Sequence, residues 1–155
     1  MNNKEISIIK SLFNPDISNG LLNGIYNYLE SNNLKSLKDQ IKIYEVPGAF
    51  EIPYMANRVL DSKYSDFDKP DCIITLGCVI KGETAHFEYI SKTVTDEIMN
   101  LSVHNNQNIP VIYGVLTTLD YQQALARTKQ DKSNKGYEVM DSAIYMINQF
   151  SSLNK

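Results

Sequence analysis

The sequence predicts an α/β fold in three layers, a four-stranded parallel sheet between helices on both faces. Two observations predict it. Strand-like and helix-like hydrophobic patterns alternate from one end of the chain to the other, and that alternation builds a parallel sheet covered on both sides. One of the strands, Cys72-Ile73-Ile74-Thr75-Leu76, is apolar at almost every position, as a strand buried on both faces must be.

Each element has its own signal. Ile6-Ser7-Ile8-Ile9 reads as a short strand and Lys10 to Pro15 as the loop after it, with Asp16 or Ser18 placed to cap the next helix. That helix carries Leu21, Leu22, Ile25 and Leu29 at helical spacing and ends near Asn32-Asn33. Ile41 to Val46 alternates as a strand does. Pro47-Gly48 breaks it, and Ala49-Phe50-Glu51 leads into a helix to about Asp61, with Pro53 in the first turn, where proline is tolerated. A polar linker, Lys63 to Lys69, precedes the apolar strand. Gly77 to His86 reads as a two-glycine loop, followed by a helix with Ile90, Val94, Ile98 and Leu101 on one face, running to about Asn105. Ile109 to Leu116 is the fourth strand. Thr117 to Asp120 caps a short helix, Tyr121 to Arg127, and the polar stretch Thr128 to Gly136 leads to a last helix. Its apolar side holds Val139, Met140, Ala143, Ile144, Ile147 and Phe150.

The length of 155 residues suits a single domain, 1–155, around one core. Apolar content of 43% with 21% charged residues is ordinary for a globular protein. A net charge of −3 without a basic block leaves no electrostatic footprint for nucleic acid. The chain start lacks a signal-peptide core, and no apolar run approaches a membrane span. Cys72 and Cys78 therefore read as free thiols in a reducing cytosol, which places the protein in the cytoplasm.

The chemistry gathers where strands end, since open parallel sheets bind ligands outside the carboxyl ends of their strands. The loop after the third strand ends at a helix N-terminus, where free N–H groups and the helix dipole form an anion seat. His86, in the first turn, can move protons near neutral pH. Gly77 and Gly82 fit the glycine spacing of a P-loop, but Glu83 occupies its lysine position, and a carboxylate there would repel the phosphates that lysine holds. No acidic cluster follows the first strand, which argues against a receiver domain. No Ser/Thr-rich loop follows it either, which argues against a flavodoxin-type flavin phosphate site. Phe13-Asn14, Ala49-Phe50-Glu51, Val79 to His86, and Tyr113 or Thr117-Thr118 supply aromatics, a carboxylate, an imidazole and the anion seat. Those parts suit a flat heterocycle bearing N–H donors together with a phosphate.

Several motifs resemble one family. Val46-Pro47-Gly48-Ala49-Phe50-Glu51-Ile52-Pro53, the segment Gly77 to His86 with Phe87-Glu88-Tyr89, Pro110 to Thr118, then Gln123-Ala124, Arg127 and Asn134-Lys135-Gly136 are similar, in the same order, to the lumazine synthases. The resemblance implies a flavodoxin-like fold. It also implies condensation of 5-amino-6-(D-ribitylamino)uracil with 3,4-dihydroxy-2-butanone 4-phosphate to 6,7-dimethyl-8-ribityllumazine, without metal or organic cofactor. It gives Phe13 the role of stacking on the pyrimidine. Ala49, Phe50 and Glu51 bind the ring and ribityl chain, and Cys78, Val79 and Ile80 line the pyrimidine side through their backbone. Glu83, Thr84 and Arg127 lie at the phosphate with Lys135 as an accessory charge, His86 transfers protons, and Tyr113 completes the aromatic wall from a neighbouring subunit of a homopentamer. Riboflavin synthase is the partner it offers. The family arginine before Phe-Asn is Leu12 here, the glutamate after Thr-Thr is Leu119, and the one before Gln-Ala is Gln122.

Read without the resemblance, other roles stay open. Phe13 and Phe50 serve equally as core aromatics. Glu51 serves as a first-turn carboxylate favoured by the dipole, and Arg127 as a surface helix-end charge. His86 and His104 serve as solvated helix-end residues, and Lys135 is one lysine of a polar loop. The resemblance itself leaves two further alternatives, a related riboflavin synthase of similar fold that joins two lumazines, and a non-catalytic lumazine or flavin carrier or shell protein. The anion loop with His86 and Arg127 favours the phosphate-using reaction over both.

Overall fold

The computed structural model describes residues 4–61 and 69–153. Four strands, β1 (Ile6–Ser11), β2 (Ile41–Val46), β3 (Cys72–Ile80) and β4 (Val111–Thr118), form one sheet in the order β2-β1-β3-β4. Every pairing is parallel: Ile6 lies beside Ile41 and Cys72, and Ile73 beside Val111. The helices are α1 (Pro15–Ser31), α2 (Ile52–Leu60), α3 (His86–His104), α4 (Tyr121–Ala126) and α5 (Lys135–Leu153). This is the expected three-layer α/β/α arrangement of the flavodoxin-like class.

Side chains of alternate strand residues fill two separate apolar layers. Ile6, Ile8, Ile74, Leu76 and Leu116 pack with Leu21 and Ile25 of α1 and Val139, Met140 and Ile144 of α5. Ile9, Ile73, Val111 and Val115 pack with Ala56 and Val59 of α2 and Val94 and Ile98 of α3. β1, at the centre of the sheet, is buried at all its positions. That includes Lys10, whose ammonium lies 3.0 Å from the Glu45 carboxylate and donates to Asn19 at 2.7 Å. Pairing and hydrogen bonding are what make a cation tolerable there.

Several boundaries differ from the sequence expectation. β3 does not stop at Leu76 but continues through Gly77, Cys78, Val79 and Ile80, because β4 pairs with it residue by residue as far as Ile80 beside Thr118. The loop is therefore only Lys81–Ala85. Gly77 is a strand residue, where a Cβ would stand 3.0 Å from Ile52 Cδ1. Thr117 and Thr118 belong to β4 for the same reason, and Asp120 alone caps α4, accepting from Gln123 N–H at 2.8 Å. Neither Asp16 nor Ser18 caps α1. Asn14 does so in the left-handed conformation at φ 54, accepting Ile17 N–H through its carbonyl at 3.0 Å. Asparagine tolerates that conformation better than most residues. Asp16 instead accepts from Tyr121 at 3.2 Å. Lys35–Gln40 forms a 3-10 turn that no periodicity announces. Lys135 and Gly136 open α5 rather than close the loop before it, and Phe150 on that helix is exposed. The polar linker lies outside the described residues except for Lys69.

Candidate active site

The sheet order reverses between β1 and β3, and the crevice such a reversal opens is where parallel α/β sheets hold ligands. A cavity of about 540 Å³ lies there, lined by Phe13, Gly48, Ala49, Phe50, Glu51, Cys78, Val79, Ile80, His86 and Ile90. Each segment is delivered by a strand end. β1 ends at Ser11, whose buried hydroxyl accepts the Phe13 N–H at 3.1 Å. β2 ends at Val46, after which a 3-10 turn, Ala49–Glu51, enters α2. β3 carries Cys78 to Ile80 directly into the crevice.

The aromatic residues are not core. Phe13 is 68% exposed and Phe50 56%, so their large apolar faces stand ready for a partner. The Glu51 carboxylate and the His86 imidazole take no hydrogen bond or ion pair among the described residues, and each borders the cavity. Cys78 is buried, and burial pushes its thiol up to about 11 despite a Thr118 hydrogen bond acting the other way. The thiol is therefore protonated at neutral pH and a poor nucleophile. Cys72 is also a free, buried cysteine, its thiol raised further by burial. No group of three or more His, Cys, Asp or Glu stands together as a metal site among the described residues.

The other sequence-derived site residues fall elsewhere in the chain. Glu83 and Thr84 sit exposed on the Lys81–Ala85 loop, between cavity residues Ile80 and His86, and Thr84 Oγ1 accepts the His86 N–H at 3.4 Å. Arg127 closes α4, exposed, with its guanidinium donating to the Gln123 carbonyl at 2.7 Å. Lys135 lies 2.6 Å from Glu138, and its backbone N–H donates to the Arg127 carbonyl at 2.8 Å. Neither cation lines the cavity. Tyr113 does not lie at a strand end, as the sequence suggested. It sits within β4 opposite Thr75, packs in the α2/α3 layer and shares a 2.8 Å hydrogen bond with Thr95. Ile90 is a cavity residue that sequence reasoning placed only on the apolar face of α3, and Gly48 one it read as a strand breaker and a motif residue with no site role. His86 and Ile90 are four apart, so a helix that shows one to the crevice shows the other.

A second cavity, about 510 Å³, lies at the opposite end of the sheet between the last turns of α2 and α3. Asn57, Asp61, Asn100, Asn105 and Gln107 line it with His104, whose Nδ1 pairs with the Asn100 carbonyl at 3.2 Å. It borders the amino ends of the strands and holds no aromatic stack, so the chemistry belongs to the first cavity.

A parallel three-layer sheet with aromatic, carboxylate and imidazole groups converging at its topological switch point defines a small-molecule α/β enzyme. Residues 3–151 match the family model for 6,7-dimethyl-8-ribityllumazine synthase, and the chain belongs to that family. It is thus a transferase of riboflavin biosynthesis that makes the ribityllumazine. Such enzymes act on small-molecule substrates and assemble as oligomers, and no helix among the described residues is long and apolar enough to cross a membrane.

Proposed function

We propose that the β1/β3 crevice binds 5-amino-6-(D-ribitylamino)uracil and condenses it with 3,4-dihydroxy-2-butanone 4-phosphate. The observation that carries this is the convergence of Phe13, Phe50, Glu51 and His86 on one cavity in a chain of this family. Phe13 stacks on the pyrimidine and the Glu51 carboxylate accepts from ribityl hydroxyls. The backbone of Ala49, Phe50, Cys78, Val79 and Ile80 walls the ring. The 5-amino group attacks the ketone and water leaves to give an imine, phosphate is eliminated, and the ribityl-bearing nitrogen closes on the remaining carbonyl with loss of a second water. His86 moves the protons. Holding amine and ketone in contact supplies much of the rate.

The phosphate sits at the Lys81–Ala85 loop, where Glu83 and Thr84 stand. Arg127 and Lys135 do not reach the cavity of their own chain, so a second copy brings them, with Tyr113, to a site shared between subunits. A closed ring of five completes every site this way. The residues 1–155 act as one domain, in the cytoplasm, and the enzyme that converts lumazine to riboflavin is the partner. Incubating purified protein with both substrates should produce the lumazine absorbance and stoichiometric phosphate. A correctly folded protein that gives neither signal refutes the reading. Sedimentation at micromolar concentration should show no active species near the 17.6 kDa of one chain.

A further inference from the structure

We propose that Lys81 is a positioning residue for the phosphate-bearing substrate, acting by neutralising Glu88 and tying the anion loop to the first turn of α3. The inference rests on the reading of that loop as the phosphate seat.

The loop has an electrostatic problem. A dianionic phosphate is to sit where Glu83 and Glu88 both carry carboxylates, one on the loop and one in the first turn of α3. Among loop residues 81–85, Lys81 is the cation. Its ammonium lies 2.8 Å from Glu88 Oε1 and 5.9 Å from the centre of the Phe87 ring. Its backbone N–H donates to the Thr118 carbonyl at 2.9 Å, so its main chain is anchored to the end of β4. The ion pair therefore spans the loop, joining the last sheet hydrogen bond to the helix start that carries His86. The hydrogen bond from Lys81, and then Glu88's own backbone N–H, hold the Glu88 carboxyl below its ordinary range. Without Lys81, the Glu88 carboxylate beside the loop loses the ammonium that pairs with it.

Both partners are about half exposed, 46% and 51%. Such a pair contributes little to folding, yet an uncompensated charge within about 10 Å of a bound dianion is inside the screening length at ordinary ionic strength. The effect should fall on anion affinity and leave the fold alone.

The test compares wild type with Lys81→Met, Lys81→Arg and the double variant Lys81→Met/Glu88→Gln. Lys81→Met should raise KM for the butanone phosphate about three- to tenfold at low ionic strength, leave KM for the pyrimidine within about twofold, and keep its melting temperature. Arginine should retain wild-type affinity, and adding Glu88→Gln to Lys81→Met should restore it. Inorganic phosphate affinity, read by direct titration, should follow the same order. An unchanged KM in Lys81→Met, an equal loss for both substrates, or no recovery in the double variant would overturn the proposal. If wild type turns over neither substrate, the functional reading fails, while the phosphate titrations still decide the role of Lys81.

Discussion

Replacing Phe13 with alanine isolates the pyrimidine slot from the fold. The side chain is 68% exposed and belongs to neither apolar layer, so its removal leaves no cavity. Its backbone bond to Ser11 is made by the N–H and survives. Stability should change by no more than about 0.5 kcal/mol, as for other exposed positions. Binding is another matter. A pyrimidine stacked on one face of the ring removes roughly 60 Å² of apolar surface from water, about 1.5 kcal/mol at the usual coefficient. Aromatic stacking adds about 0.5–1.5 kcal/mol. Together that is about 2–3 kcal/mol, and alanine keeps part of the area term. The pyrimidine should therefore bind about ten- to a hundredfold more weakly. Titrating the pyrimidine against wild type and Phe13→Ala, with KM for each substrate measured in turn, reads this directly. An equal loss for the butanone phosphate, or a variant that melts well below wild type, would show that Phe13 packs the protein and does not stack the ring.

Arg127→Ala should cost more in kcat/KM for the butanone phosphate than His86→Ala. The guanidinium makes a charge-assisted contact that anchors the ketone and steadies the leaving phosphate, whereas water or phosphate can replace part of the roughly 10²–10⁴-fold a positioned histidine supplies. An inactive His86→Ala enzyme beside a nearly normal Arg127→Ala enzyme, at saturating pyrimidine, would reverse that division. Gly136→Ala should destabilise by about 3 kcal/mol or more in denaturant unfolding, since its Cβ would stand 1.8 Å from the Leu21 carbonyl oxygen, backbone that cannot swing away. Tyr28, buried and donating to Asp141 at 2.9 Å, has its hydroxyl pushed from 10.0 up to about 12 by burial, then by the Asp141 bond. A group whose folded pKa is raised contributes stability fully below its unfolded value, lost as pH climbs through the folded one. Thermal melts should fall between about pH 10 and 12, and Tyr28→Phe should flatten that fall.

The order of elements and the composition of the crevice were legible in the sequence because both rest on local patterns. Ile41 to Val46 is a strand with the bounds its alternation implies, and Val94 and Ile98 are buried on the face of α3 that their spacing marks. Phe13, Phe50, Glu51 and His86 meet because each follows a strand, and parallel strands put all their carboxyl ends on one side. What the tertiary structure decided depends on a neighbour that local pattern cannot see. Gly77 looks like the start of a loop, yet β4 supplies hydrogen bonds as far as Ile80, so the strand runs on and shortens the loop to Lys81–Ala85. Asn14 caps α1 in place of Asp16 because the chain must turn sharply there to leave β1. Tyr113 sits mid-strand, its register with Thr75 directing it to Thr95 and away from the crevice. Arg127 and Lys135 sit beside each other through a backbone bond but outside the cavity. Motif order brought them onto the same list as His86, but motif order carries no distance. Whether two residues touch is set by strand order and by which face of the sheet each helix covers, and both are settled only when the two apolar layers close.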